Sequence, residues 1–203
     1  MGIVNCPLPA SPTKVTKAGC RPKVGRIVKI VLQRKGHKFT ATNPITDLDS
    51  WLDLRDANDA STLAVLPLLG DAAVITPGEP ETSNVNAYGV DEVVEEKGSN
   101  GTALLNDLEG STIETIRAWN HEGSITAYFL TADNNVFARK LAVAGEYSGF
   151  NLLSFFCGDM GVRNGNNRDE ASLTFNLPSG WRKDGVLVPL DFDVNDLEGV
   201  DPA

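Results

Sequence analysis

The sequence predicts a mainly β fold: an antiparallel β-sandwich or barrel with one or two short flanking α-helices and extended arms. Short segments with a two-residue hydrophobic alternation recur along the 203 residues, and such alternation is typical of half-buried strands. Only two stretches have helical spacing, and neither a regular strand–helix–strand order nor an internal repeat is present. We therefore expect seven or eight strands and two short helices in one domain.

Residues 1–24 are predicted to form an extended N-terminal arm. Prolines at positions 7, 9, 12 and 22 and the lack of any periodicity disfavour regular structure there. We expect both chain ends to be held by neighbouring subunits, since an arm becomes ordered only when its contacts offset the entropy cost. The single domain is then 25–195, and 196–203 is an acidic C-terminal tail.

The segment 25–34 alternates as a strand and is followed by a basic turn at 34–38. The turn is either a solvated hairpin tip or a cationic contact with an acidic neighbouring subunit. The second face of the strand is expected to be only partly exposed. The first face consists of Val28, Ile30 and Leu32, and the second consists of Ile27, Lys29, Val31 and Gln33.

A short amphipathic helix is predicted after Thr46, because Thr46 and Asp49 have capping-box spacing. Its acidic residues are explained by the helix dipole, which favours negative charge in the first turn, without a cation site. Its apolar face takes Leu48, Trp51, Leu52 and Arg55.

Two short apolar runs follow between 62 and 77, and Pro67 makes the first an edge strand or a bulged one. Residues 79–110 are predicted to form a long acidic excursion. It comprises a polar loop at 79–87, a possible strand at 88–96 and a turn at 97–101. Long excursions in compact domains are usually functional or contact other chains.

A second helix and a β-hairpin are predicted between Ser111 and Ala142. Ser111 and Glu114 have capping-box spacing, and Gly123 stands where the helix ends. The period then changes to two, and Asp133, Asn134 and Asn135 suit a tight turn. Both hairpin strands are apolar on both faces. One face should meet the domain core, and the other the helix at Ser111 or a neighbouring subunit.

Three further segments complete the domain. Residues 150–157 are nearly all apolar and predict a strand buried on both faces, and the polar residues 158–170 predict a long loop. Residues 171–177 alternate as a half-buried strand. Residues 186–194 predict a last strand, at a sheet edge because of Pro189.

Composition excludes several classes of function. Eighteen Lys and Arg stand against 27 Asp and Glu, giving a net charge of −9, which argues against binding nucleic acid through its phosphates. No apolar run reaches the roughly 18 to 20 residues of a membrane span, and the N-terminus lacks the order of a secretory signal. We expect a soluble protein made in the cytoplasm, with no membrane partner.

The sequence predicts no catalytic, cofactor-binding or metal-binding residues, and so no enzyme. His37 and His121 lack a nucleophile or carboxylate in a catalytic arrangement, and no nucleotide-binding or metalloprotease motif occurs. Cys6, Cys20 and Cys157 are expected to be reduced thiols, Cys157 buried, although a Cys6–Cys20 bridge stays open. Two acidic or Asn-rich groups fail the spacing of a calcium loop: Asp191, Asp193, Asn195, Asp196 and Glu198, and Asn164, Asn166, Asn167 and Asp169.

The order of these elements resembles structural proteins of tailed bacteriophages that infect Bacteroidetes-type bacteria, and most of all their tail tube proteins. The resemblance covers most of 25–195 and rests on order and pattern. The segments that carry it are LDSWLDLRDA, PGEPETSN, STIETIRAW, ITAYFLTADNNVF, LLSFFCGD and TFNLPSGW.

The resemblance implies a virion subunit that self-associates through sheet edges and arms into stacked hexameric rings. It further implies a channel through which DNA passes without specific binding. It also implies a stacking loop, which is 79–110, the Lys35–Gly36 turn or 158–170. Other virion components remain alternatives, namely a neck ring, a tail terminator or a capsid decoration protein. A β-sandwich carbohydrate-binding module is a further one, although the three tryptophans do not group on one strand face: Trp51, Trp119 and Trp181.

Overall fold

A computed structural model describes residues 24–57, 59–67, 73–79, 81–84, 91–106, 110–161 and 170–197. The strands are β1 Ile27–Arg34, β2 Leu63–Pro67, β3 Val74–Pro77, β4 Glu81–Asn84, β5 Asp91–Glu95, β6 Ser99–Asn106, β7 Ile125–Thr131, β8 Asn135–Lys140, β9 Tyr147–Ser148, β10 Phe150–Asn151, β11 Ser154–Gly161, β12 Glu170–Leu177 and β13 Gly185–Pro189. The α-helices are α1 Leu48–Asp56 and α2 Gly110–Ala118, and 3-10 turns span Trp119–His121 and Val194–Leu197.

Two antiparallel sheets form a sandwich, which confirms the mainly β fold with flanking helices. The large sheet has the order β13-β8-β7-β1-β2, with β10 beside β7 and β9 beside β8. The four-stranded sheet has the order β11-β12-β6-β3, and β4 pairs with β5 alone. Pro67 and Pro189 lie on edge strands as predicted, since β2 and β13 are the outer strands of the large sheet.

The large sheet is buried on both faces. One face packs on the four-stranded sheet through Phe129, Phe150 and Phe175. The centroid of the Phe129 ring lies 5.9 Å from that of Phe150 and 5.7 Å from that of Phe175. The other face is covered by α1 and by loops before it and near the C-terminus. There Trp51 and Tyr128 are fully buried with ring centroids 5.5 Å apart.

This second core corrects the expected cover of the hairpin. The hairpin itself is confirmed as β7 and β8, with Asn134 at φ 53° in the turn. The sequence assigned the cover to the helix at Ser111 or to a neighbouring subunit, but α1 supplies it within the same chain. α2 instead inserts Ile113 and Ile116 into the core between the sheets.

A bulge in β1 reverses the predicted faces of Ile27 and Val28, whereas Ile30, Leu32 and Val31 lie on the faces that the alternation assigns. The pairing with β7 shifts register between Ile27 and Lys29, and a bulge turns the following side chains to the opposite face. Ile27 therefore joins Ile30 in the core between the sheets, whereas Val28 packs in the core beneath α1. The second face is buried rather than partly exposed, since Lys29 is 3% and Gln33 0% exposed.

The segment 79–110 contains strands where a loop and a turn were predicted. Glu81–Asn84 is β4, and β6 begins at Ser99, inside the predicted turn, to lie between β12 and β3. The glycines were misleading because one of them serves packing: a Cβ at Gly101 would collide with the ring of Phe175. Glycine within a strand often marks such a close approach.

The segment 150–157 is not one strand. Phe150–Asn151 pairs with β7 in the large sheet, and the chain then crosses to the four-stranded sheet at Ser154. Two apolar side chains near this crossing are exposed, Leu153 at 69% and Phe156 at 57%. Phe150, Phe155 and Cys157 all enter the core between the sheets, whereas Leu153 and Phe156 face solvent, so the run is not buried on both faces as predicted.

The helix starts also differ from the prediction. α2 begins at Gly110, so Ser111 lies inside the helix, where its carbonyl accepts a hydrogen bond from the Thr115 hydroxyl. The N-cap of α1 is Asp47 rather than Thr46, and it makes no side-chain capping bond.

The domain packs slightly beyond its predicted C-terminal boundary. Leu197, assigned to the acidic tail, is fully buried beside Val194 beneath the large sheet. The half-buried alternation of β12 is confirmed. Most of the loop at 158–170 and of the N-terminal arm lies outside the described residues, as do Cys6 and Cys20.

Candidate functional site

The outer face of the four-stranded sheet is an exposed surface without charge over its central rows. Register places Ser154, Asn176, Asn100 and Thr76 in one row across the four strands. The next row holds Phe156, Thr174, Thr102 and Val74, and Ser172 pairs with Leu104 in the row beyond. We call these ten residues the uncharged face.

Hydroxyl and amide groups dominate the uncharged face. The Asn176 amide donates to the Ser154 hydroxyl across 2.8 Å, so neighbouring strands are also joined by their side chains. Phe156 and Val74, each 57% exposed, stand on the two outer strands. The face therefore combines polar central rows with two exposed apolar side chains on its outer strands.

The outer edge of β2 lies in a groove, which we call the edge groove. It has a volume of about 410 Å³ and lies between β2 and α2. No strand among the described residues pairs with this edge of β2. The β2 residues are Leu63, Ala64, Val65 and Leu66, and the helix side consists of Ser111, Thr112, Thr115, Ile116 and Trp119.

The edge of β11 is occupied by a side chain instead. The Asn120 amide donates to the Cys157 carbonyl at 3.0 Å and its oxygen accepts from the Cys157 N–H at 2.7 Å. These two bonds copy the pairing of a neighbouring strand. The thiol of Cys157 is buried as predicted, and burial raises its pKa.

A cavity of about 470 Å³ lies beside β3. Val24, Ile75 and Phe137 give it an apolar floor, and Trp181 lies along its wall. The Trp181 ring packs against Phe150 with centroids 4.9 Å apart. The cavity lies where the N-terminal segment joins the domain.

The charges of the predicted basic turn are partly paired within the chain. Arg34 donates to Glu122 at 2.6 Å and Lys38 to Glu146 at 2.6 Å. The hydrogen bond from Arg34 holds the pKa of Glu122 below its usual range. The turn is not the tip of a hairpin, because β1 is followed by α1.

The residues considered for chemistry do not converge in the structure. His37 lies in the turn after β1 and His121 at the end of the 3-10 turn after α2. Within the described part of the chain, no three His, Cys, Asp or Glu side chains are placed to hold a metal ion. Asn164, Asn166, Asn167, Asp169 and Glu198 lie outside that part.

The tryptophans serve packing. Trp51 is fully buried and donates from its indole N–H to the Ile45 carbonyl at 2.7 Å. Trp181 belongs to the cluster around Phe150, and Arg34 lies over the ring of Trp119 at 5.9 Å. They therefore do not form a shared platform for a sugar ring.

The sequence reasoning missed the uncharged face. The alternation of Ser172, Thr174 and Asn176 with buried residues was visible, but it describes one strand only. The face arises because β6 and β3 present the same residue types beside β12, and that pairing joins segments about 70 residues apart.

Neither α-helix of the described residues has the length or apolarity needed to cross a bilayer. No protein-family model matches the chain, and no curated protein matches it. A similar solved structure is the six-fold symmetrised cryo-EM structure of the anti-feeding prophage (AFP) baseplate. The match covers 85% of this chain and 99% of that chain, with 10% identity and a TM-score of 0.31, too weak to define a shared fold.

Proposed function

We propose that this protein is a structural subunit of a virion, and specifically a tail tube subunit. Copies would join into stacked rings, hexameric by the resemblance of the sequence, around a channel for DNA. The observation that carries this proposal is the uncharged face, which we place toward the channel.

The physical reason is the response of DNA to charge. Each cation that neutralises a phosphate releases counterions and adds affinity, which would hold DNA in place. The uncharged face offers hydroxyl and amide groups and no cation. Residues 24–203 carry 14 Lys and Arg against 27 Asp and Glu, so the surrounding body also repels phosphate.

Electron microscopy of negatively stained, purified protein tests the assembly. We expect rings with a central opening that stack into tubes as protein concentration rises. A stable monomer at high concentration in every salt, measured by light scattering, would contradict the proposal. Single rings that never stack would favour a neck ring or tail terminator instead.

A second experiment tests the placement of the uncharged face. Lysines at Thr102 and Thr174 should make the rings retain short duplex DNA, and the retention should fall steeply as salt rises. The matched control places lysines at Ala142 and Val143, which are exposed in the loop after β8. If both variants retain DNA equally, or neither retains it, the uncharged face does not line the channel.

A further inference from the structure

We propose that copies of this chain join head to tail through two exposed surfaces of opposite charge, one before β13 and one after it. Each surface binds the opposite surface of a second copy. The inference rests on the proposed self-assembly and names the surfaces that meet in it.

The surface before β13 is basic. The Lys140 N–H donates to the Asp184 carbonyl at 2.9 Å, so the end of β8 lies beside the turn that leads into β13. A depression of about 520 Å³ lies between these two segments. We call the cations of this surface the basic end: Arg139, Lys140, Arg182 and Lys183.

Most charges of the basic end lack a partner in their own chain. Lys140, Arg182 and Lys183 are exposed, and none of them forms an ion pair with a described residue. Arg139 lies 3.8 Å from Asp184, whose carboxylate offsets its charge. The other three cations are therefore available to a partner.

Arg182 is already positioned for such a contact. Its guanidinium lies over the rings of Phe137 and Trp181, 5.8 Å from each centroid. A guanidinium donates in its own plane, so contact with a ring leaves its N–H groups free to bind a carboxylate. A side chain held in this way loses less freedom when it binds.

The surface after β13 is acidic. The Asp191 N–H donates to the Thr46 carbonyl at 3.1 Å, which brings the chain after β13 beside the start of α1. The exposed aspartates of both segments form no ion pair with a described residue. We call these residues the acidic end: Asp47, Asp49, Asp191, Asp193 and Asp196.

The two ends cannot neutralise each other within one copy. They are separated by β13, Gly185–Pro189, and an extended strand of this length spans about 13 Å. An ion pair needs its charged atoms within about 4 Å. The partner of each end is therefore another molecule.

Charge and symmetry favour a second copy of this chain as that molecule. Copies with a net charge of −9 repel one another on average, whereas the contact of a basic end with an acidic end is attractive. A ring also requires that two different surfaces of each copy meet, because a two-fold dimer joins the same patch on both copies. The basic and acidic ends are two such surfaces.

The contact also bears on the passage of DNA. The cations of an uncovered basic end would attract phosphates and release counterions. The acidic end of the next copy neutralises these cations, so head-to-tail assembly removes a basic surface that could hold DNA.

Charge reversal of the basic end tests the contact. Wild-type chains should grow beyond the dimer as protein concentration rises, and they should dissociate as salt is raised to about 0.5 M. Sedimentation velocity at low salt measures this growth. Lys140→Glu with Lys183→Glu should weaken self-association about ten-fold or more, since it sets like charges against each other.

The matched control is Lys35→Glu with Arg117→Glu, which changes the net charge equally at sites outside both ends. Its self-association should stay within about two-fold of the wild type. Circular dichroism should show that both variants fold, since the reversed side chains are not buried. Equal weakening by the two variants, or none by either, would overturn the proposal.

Complementation by mixing is the sharper measurement. One triple variant makes the basic end acidic, and the other makes the acidic end basic. Neither should self-associate, but an equal mixture should, because each supplies the surface that the other lacks. The variants are Lys140→Glu, Arg182→Glu and Lys183→Glu in the first, and Asp47→Lys, Asp191→Lys and Asp196→Lys in the second.

Two results of this experiment would contradict the proposal. A mixture of folded variants that stays monomeric would show that the two ends do not meet. A wild type or a mixture that stops at the dimer would show a two-fold contact instead of head-to-tail growth. If a triple variant does not fold, the Lys140→Glu with Lys183→Glu variant and its control decide the matter.

The outcomes separate this inference from the proposed function. Rings and tubes that form equally well after charge reversal would leave the tube subunit standing and overturn the contact. Complementary association beyond the dimer, without a ring that has a central opening, would do the reverse.

Discussion

β7, in the middle of the large sheet, has all of its residues buried, whereas β12, inside the four-stranded sheet, alternates buried and exposed residues. The large sheet lies between two cores, and α1 covers its outer side. The four-stranded sheet has one core only, and no described residue covers its outer side. The comparison shows that the first sheet contributes to both cores of the domain, whereas the second leaves one face exposed.

The largest expected effect is that of a charge in the covered sheet. Tyr128 is fully buried and donates to the Gln33 side chain at 2.9 Å. Tyr128→Asp places an uncompensated carboxylate between Trp51 and Phe39, which should cost more than about 4 kcal/mol and abolish folding. Circular dichroism checks this prediction, and we expect no soluble folded protein.

The matched variant in the other sheet is Thr174→Asp. Its side chain is exposed on an inner strand, so we expect a change in unfolding free energy within about 0.5 kcal/mol. A cooperative loss of structure in this variant, as in Tyr128→Asp, would break the comparison between the sheets.

The second largest loss of stability is expected when the side chain of α1 that covers the large sheet is removed. Trp51→Ala deletes the largest side chain of α1 that faces β7 and leaves the Ile45 carbonyl without its indole donor. Truncation of a buried tryptophan costs about 3–5 kcal/mol. Urea denaturation checks the value, and Trp119→Ala, a half-buried site, should cost clearly less.

A smaller effect is expected from overpacking beneath the uncharged face. Gly101→Ala would press against the Phe175 ring, and overpacking costs about 1–3 kcal/mol. Gly123→Ala is the control, since nothing lies within 4 Å of its added methyl. Thermal unfolding should separate the two, and Phe175→Leu should reduce the penalty of Gly101→Ala if the ring is its cause.

The smallest effect is a pH dependence at the junction of the large sheet with α2. Arg34 lowers the pKa of Glu122 in the folded state, so the pair stabilises the fold above the unfolded pKa, about 4.3. This stabilisation disappears as pH falls through the lower, folded pKa. The melting temperature of Glu122→Gln should lie slightly below that of the wild type at pH 7 and converge with it near pH 3.

The sequence predicts those parts of the fold that depend on neighbouring residues. The alternation of β12, the Asn134 turn of the hairpin and the edge prolines 67 and 189 are local signals, and each is confirmed. The covers of the sheets are not local. Trp51 meets Tyr128 across 77 positions, and no periodicity of either segment reveals that contact.

The wrong predictions also arise from contacts between residues that are distant in the sequence. Gly101 looks like a turn residue until Phe175 is known to lie against it. The bulge before Lys29 reverses the faces that strict alternation assigns to Ile27 and Val28. The candidate surface was missed because it belongs to four strands jointly. Single strands with exposed serine and threonine carry no sign that their neighbours lack charge too.

The two hydrogen bonds between Asn120 and Cys157 have a consequence for the growth of the sheet. A sheet extends without limit, as in amyloid, only if both of its edges accept strands. Here one amide acts as a terminator on the β11 side, so copies of the four-stranded sheet cannot polymerise edge to edge through that site. The Asn120 amide thereby closes this part of the sheet edge to an added strand.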